Sequence, residues 1–191
     1  MQHPEILRTH LLAAAIYHPT EIDLASAEYL EAERLLLDLP PNSELRPGRR
    51  HQNWVVKLHA YETFTSGTGW RPRENTRNRT SLPPAERRMG EWARYQRRLE
   101  DELCSFQKTR LDVSPAFEWD PQQASWDARS YECIRHALTT GQLPLLNSAD
   151  LGEFANARWL GRQIRQLQLG TLLPDRAARL NELLERFRGD F

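Results

Sequence analysis

Residues 89–103 decide the fold class: Met89-Gly90-Glu91-Trp92-Ala93-Arg94-Tyr95-Gln96-Arg97-Arg98-Leu99-Glu100-Asp101-Glu102-Leu103. Met89, Trp92, Gln96, Leu99 and Leu103 recur at steps of 3, 4, 3 and 4, which places them on one face of an α-helix. The opposite face carries Arg87, Arg94 and Arg98 with Glu91 among them. Gln96 stands inside the apolar stripe. An unpaired buried amide costs about 1–3 kcal/mol, so Gln96 is expected to bridge to a neighbouring backbone group. Ser81 ahead of Pro83-Pro84 supplies a start for this helix, with proline in its first turn.

Working outward, the same period continues on both sides. Toward the N-terminus, Trp54, Val55, Leu58, Tyr61 and Phe64 predict a helix from Gln52 that breaks at Ser66-Gly67-Thr68-Gly69. The stretch Trp70–Thr80 is polar, lacks apolar periodicity and reads as a loop. Further back lie two helices. One covers Pro4–Tyr17, with Ile6, Leu7, Leu11, Leu12, Ala15 and Ile16 at helical spacing. The other follows Pro19, with Leu24, Ala27, Leu30, Leu35 and Leu37 in one arc, and stops at Leu39-Pro40-Pro41. Together they predict a helical hairpin, joined to the rest by a linker over Asn42–Arg50. Toward the C-terminus, a short helix around Phe106–Val113 leads to Phe117-Glu118-Trp119, and Asp120-Pro121 closes the unit.

The pattern then begins again. Trp126, Tyr131, Ile134 and Leu138 predict a helix ending at Thr140-Gly141, and Leu143–Leu146 is a short loop. Asn147 or Ser148 is expected to cap a helix with Phe154, Trp159, Leu160, Gln163, Ile164 and Leu167 that stops at Gly170. The last helix starts near Pro174 and buries Ala177, Leu180, Leu183, Leu184 and Phe187. Trp92-x-x-x-Gln96 matches Trp159-x-x-x-Gln163 at an offset of 67, Phe106-x-x-x-Arg110 matches Leu172-x-x-x-Arg176 at 66, and Trp54 and Trp126 open the two copies. The extra length of the first copy falls in its Gly- and Arg-rich loop, where insertions in repeats belong. The expected fold is all-α: an N-terminal helical hairpin over residues 1–45, then two tandem three-helix bundles over 52–120 and 126–188.

These spacings resemble the helicase-associated domain, a three-helix module found in tandem behind many bacterial helicase cores. Its pattern runs from an opening Trp through Leu-Gly-x-Trp-x-x-x-Gln-Arg and Gly-x-Leu-x-x-x-Arg to Gly-Phe-x-Trp. This chain has Met89-Gly90-Glu91-Trp92, Gln96-Arg97, Arg110 and Phe117-Glu118-Trp119. Its second copy has Trp126, Trp159, Gln163, Gly170-Thr171-Leu172 and Arg176. The resemblance covers residues 52–188. It departs from the pattern at Cys104, near the family's usual Gly, and at Ala157 and Ile164, and the second copy lacks the closing Phe-x-Trp. The resemblance implies contact with nucleic acid, DNA being the expected form. It does not imply a motor, because no G-x-x-x-x-G-K-[ST] phosphate cradle occurs in the chain.

Charge is neutral overall but unevenly placed. Residues 1–45 carry 2 basic and 8 acidic side chains (net −6), residues 46–110 carry 15 and 7 (net +8), and residues 111–191 carry 9 and 11 (net −2). A concentrated basic block in a neutral chain points to a localised anionic partner. Phosphate contacts need mobile cations with fork geometry, which Arg71, Arg73, Arg77, Arg79, Arg87, Arg88, Arg94, Arg97 and Arg98 supply. The alternative for these arginines is a solubilising surface partly paired with Glu86, Glu91 and Asp101. Trp70, alone among polar residues in the loop, is a candidate stacking residue, whereas Trp92 and Trp159 on apolar faces read as core. The acidic hairpin is expected to pack on the first copy, to dimerise, or to cover the basic block.

Several functions find no support in the residues. Cys104 and Cys133 form no C-x-x-C pair and the six His residues are scattered, so no metal site and no cofactor are expected. His59 and Glu62, and Tyr131, Glu132 and His136, lie close in the chain without a surrounding catalytic set, so an enzyme is not expected. The longest apolar run, in Leu11–Tyr17, is too short to span a bilayer and lacks a secretory layout, which predicts a cytoplasmic protein and no membrane partner. The functional expectation is an accessory or regulatory nucleic-acid-binding protein whose contact surface lies on the first copy, the second copy being mainly structural. The alternative is a protein-binding adaptor or inhibitor that docks through its helical faces.

Overall fold

The computed structural model describes residues 4–17, 23–74 and 81–187. Among these, eight α-helices and no strand occur: α1 (Pro4–Ile16), α2 (Leu24–Leu36), α3 (Arg49–Thr68), α4 (Pro84–Arg98), α5 (Ser105–Asp112), α6 (Pro121–Thr140), α7 (Leu151–Gln168) and α8 (Pro174–Arg186). No helix among the described residues is long and apolar enough to cross a membrane. The chain divides into two compact units, Met1–Trp119 and Asp120–Phe191.

In the first unit, residues 1–45 do not stand apart. Ala13 of α1 and Tyr29 and Ala32 of α2 share one core with Trp54, Val55, Leu58, Tyr61, Trp92, Phe106, Leu111 and Phe117. Of the apolar residues that the spacing turns inward, Ile6 and Leu37 are buried and Leu30 packs on the core, but others face out. α1 buries Ile6, Thr9, His10 and Ala13 and leaves Leu11, Leu12 and Ile16 exposed. α2 buries Ser26, Tyr29, Glu31, Ala32 and Glu33 while Leu24, Leu35 and Leu36 face out. Polar groups go inward because their partners wait there: Ser26 Oγ accepts the Phe106 N–H at 2.9 Å where α5 begins, and Glu33 meets an arginine.

Helix ends follow local chemistry. α3 starts at Arg49, inside the stretch read as linker, and runs to Thr68, through the expected break at Ser66-Gly67. Gly69 closes it in the left-handed conformation (φ 78°), with its N–H on Thr65 O. α4 stops at Arg98, and Glu100–Glu102 form a single 3-10 turn, so the five-residue stripe from Met89 to Leu103 is not one continuous helix.

In the second unit, α6, α7 and α8 close on Cys133, Ala137, Leu160, Leu180 and Leu183. α6 begins at Pro121 rather than Trp126, capped by Asp120, whose side chain accepts from the N–H groups of Gln122 and Gln123. α7 is capped by Asp150, which accepts from the Glu153 N–H, and not by Asn147 or Ser148. Ser148 Oγ instead donates to Glu153 at 2.5 Å.

Candidate nucleic-acid interface and a buried ion network

Each unit is locked by the same side-chain bond. Trp54 donates its indole N–H to Gln96 Oε1 at 2.8 Å, and Trp126 donates to Gln163 Oε1 at 2.9 Å. Gln96 therefore bridges to a side chain 42 residues away, not to a neighbouring backbone group. Both glutamines are buried, and each satisfies a buried donor that would otherwise cost about 1–3 kcal/mol. Next to these bonds, Trp54 and Trp92 stand 6.2 Å apart between ring centres, and Trp126 and Trp159 5.7 Å.

This arrangement orients α4. Trp92, Ala93 and Gln96 face the core, and Gly90 faces the segment after α3. A side chain at Gly90 would meet the backbone oxygen of Arg73 at 2.8 Å, so only glycine lets this segment lie against the helix. The segment is pinned by its own arginines. Arg73 forks onto the buried Glu86 carboxylate at 2.8 and 3.0 Å, and its backbone N–H adds a third bond at 3.0 Å. These bonds hold the Glu86 carboxyl below the usual carboxylate range. Arg71 donates to Ala116 O at 3.0 Å and reaches Glu118. Arg97 pairs with Glu74, donates to Glu118 O at 2.9 Å and lies over the Phe117 ring.

The predicted contact residues thus separate into three sets. Arg71, Arg73 and Arg97 are joined to internal carboxylates and carbonyls. Arg77 and Arg79 lie outside the described residues. Arg87, Arg88, Arg94 and Arg98 lie on α4 and form no ion pair among the described residues. Arg88 and Arg98 are exposed, Arg87 and Arg94 are half-buried on the side that also carries Glu91, and Arg98 stacks over Tyr95 at 5.3 Å. Arg88 and Tyr95 border an open groove of about 1100 Å³ between α3 and α4, lined also by Lys57, Phe64, Met89 and Trp92. Tyr95 is 49% exposed and Trp70 is 59% exposed, so both aromatics are open to a ligand.

No family model, no curated protein and no solved structure matches the chain.

Behind α3, away from that face, lies a group of side chains that sequence reasoning did not assemble. Arg110 is fully buried. Its Nε donates to both oxygens of Glu33 at 2.9 and 3.1 Å, and its two terminal nitrogens fork onto Glu62 at 2.7 and 2.8 Å. Ser114 Oγ donates to Glu62 at 2.6 Å. His59 Nε2 lies 2.7 Å and His10 Nδ1 3.0 Å from the Glu33 carboxylate. Burial by itself would raise the pKa of Glu33, but Arg110 beside it and the two histidine hydrogen bonds outweigh that effect and hold the carboxyl far below its ordinary range. With a proton on His10 Nδ1, the buried Nε2 carries a lone pair and finds no partner among the described residues. His59 and Glu62, read from the chain as an isolated pair, belong to this network. Their spacing of three on one helix was the only local signal; Glu33 and Arg110 lie 77 residues apart.

Four of the hairpin's acids have partners inside the unit. Asp23 caps α2, Glu28 lies 3.5 Å from His51, Glu31 accepts from the Asn42 N–H at 3.0 Å, and Glu33 is buried on Arg110. No cluster of metal-binding side chains occurs among the described residues. Burial raises the thiol pKa of Cys104 and pushes that of Cys133 up to about 11, so neither is a ready thiolate.

Proposed function

We propose that this chain is a non-enzymatic nucleic-acid-binding accessory protein, DNA being the expected ligand, built as a helical hairpin fused to the first of two tandem helicase-associated-like three-helix units. The observation that carries the reading is α4, where the exposed Arg88 and Arg98 and the half-buried Arg87 and Arg94 supply four guanidinium groups with no ion pair among the described residues. Fork-shaped cations held along a rigid helix match phosphate oxygens, and they bind without base preference. Tyr95 under Arg98, and the exposed Trp70 after α3, offer rings on which unpaired bases stack. In this reading Arg71, Arg73 and Arg97 hold residues 70–74 in place, Arg87, Arg88, Arg94 and Arg98 meet the ligand, and Arg77 and Arg79 of the loop stay candidates for contact.

The test is fluorescence anisotropy with labelled duplex and single-stranded oligonucleotides at two salt concentrations. Wild type should bind and weaken as salt rises. Substituting Arg87, Arg88, Arg94 and Arg98 by Ala should flatten that salt dependence by about three units of slope on a logarithmic plot, at roughly 0.7–0.9 per lost contact. A protein adaptor would show no binding to either oligonucleotide at low salt, and that result would sink the proposal.

A further inference from the structure

The first unit holds the chain's basic block, yet α7 of the second unit carries an arginine face of its own. At the offset of 67 that aligns Trp92 with Trp159, Arg98 falls on Arg165, whereas Arg158 and Arg162 stand where the first unit has Glu91 and Tyr95. All three are exposed on α7, at steps of 4 and 3, and none forms an ion pair among the described residues. Arg158 lies over the Phe154 ring at 5.7 Å, as Arg98 lies over Tyr95. The other arginines of α8 that approach this unit's core are committed: Arg176 donates to Gln123 and Arg179 pairs with Asp127, both over the Trp126 ring. The acids of the unit are placed elsewhere. Asp127 is on α6, Glu153 is bonded to Ser148 and Leu145 N–H, and Glu182 and Glu185 are on α8. Between Leu151 and Leu169 the outward side of α7 carries three cations and no carboxylate, whereas the α4 face includes Glu91.

Gly161 lies at the edge of this face, beside Arg158 and Arg165. A side chain there would meet nothing within 4 Å, so no packing contact requires glycine. An exposed glycine inside a helix weakens it, and its use leaves the backbone bare beside Arg158 and Arg165. A bare helix surface flanked by cations lets a phosphate backbone approach closely.

We propose that α7 is a second nucleic-acid contact surface, formed by Arg158, Arg162 and Arg165 beside Gly161. It takes phosphate oxygens by charge and fork geometry and reads no base. This rests on the nucleic-acid reading of the first unit, and the two are separable by experiment.

The test compares wild type, a variant with Arg87, Arg88, Arg94 and Arg98 changed to Ala, a variant with Arg158, Arg162 and Arg165 changed to Ala, and Gly161→Glu. Binding to one oligonucleotide is measured across a salt series. Gly161→Glu places a carboxylate beside Arg158 and Arg165 without a clash and in a residue with better helix propensity, so it should fold at least as well as wild type; circular dichroism checks this. The expected result is that the α7 triple variant lowers the salt slope by about two units and that Gly161→Glu weakens binding roughly tenfold at low salt. Wild-type binding that the α4 variant weakens, with the α7 triple variant and folded Gly161→Glu both unchanged, overturns this proposal and leaves the first-unit reading standing. No wild-type binding at all overturns both. Loss confined to the α7 variants supports this surface and removes the α4 one.

Discussion

In residues 4–119 Trp54 bonds Gln96 and in residues 120–187 Trp126 bonds Gln163, and the helices that carry the tryptophans also end alike. Thr68 and Thr140 each donate to the carbonyl four residues back and to the carbonyl two residues on, and Gly69 and Gly141 follow at φ 78° and 79°. The third helices differ. In the first unit Arg110 sits in the second turn of α5, buried between two carboxylates; in the second, Arg176 sits in the first turn of α8, half-buried over an indole ring. The hairpin explains the difference. It brings Glu33 and His10 against α3 and α5, and a guanidinium can be buried there only because carboxylates come with it. Without a hairpin of its own, the second unit leaves the matching arginine half-buried. A sequence repeat therefore preserves the frame of the core and not the chemistry behind it.

The largest effect should come from Arg110. Arg110→Met leaves Glu33 and Glu62 buried without a cation and should destabilise the first unit by about 3–5 kcal/mol. Arg176→Met should cost the second unit about 0.5–1 kcal/mol, the scale of an exposed cation–ring contact. Urea unfolding followed by hydrogen exchange of peptides from α2 and α6 separates the two units. Similar losses for both variants would remove the contrast.

Acid should then separate them in the same way. The Glu33 pKa in the folded chain lies well below its ordinary value of 4.5, so its contribution is complete above that value and is lost as pH falls through and below it. Between pH 7 and pH 3, exchange in α2 and α5 should rise before exchange in the core of the second unit. The reverse order would show that the network does not govern acid stability.

Gln96→Leu and Gln163→Leu probe what the units share. Each strands one buried indole N–H and should cost about 1–3 kcal/mol, with the two losses similar in size. A loss in only one unit would show that the matched bonds are not equivalent.

Two glycines should separate the units by sign. Gly90→Ala pushes a methyl group against the Arg73 backbone and should destabilise by about 1–3 kcal/mol, whereas the aligned position in the second unit already holds Ala157. Gly161→Ala meets no neighbour and should raise stability by about 0.5–1 kcal/mol. Thermal melts distinguish the signs, and a stabilising Gly90→Ala would mean that the segment before α4 does not press on the helix.

The departure at Ala157 thus acquires a physical reason. The first copy needs glycine because its longer loop returns across α4, and the second, with the shorter connection over residues 141–150, has no such backbone to admit.

Helical periodicity, proline and glycine breaks, and the paired Trp-x-x-x-Gln spacings are local properties, and they are enough to determine an all-helical chain and the positions of most of its helices. They do not determine which face of α1 and α2 turns inward. Apolar spacing favours Leu11, Leu12, Leu24 and Leu35, whereas the fold buries His10, Ser26 and Glu33, because the burial of Arg110 depends on carboxylates supplied from 48 and 77 residues away. The fate of the arginines was decided in the same way. Charge counted along the chain treats Arg73, Arg97 and Arg98 alike, but only tertiary contacts set the first two against Glu86 and Glu74 and leave the third on an open helix face. Charge summed by block likewise conceals the three arginines of α7, because helical periodicity gathers them on one side while the unit's carboxylates are bonded on others. Spacing fixes which residues share a face, and long-range partners fix which faces remain free.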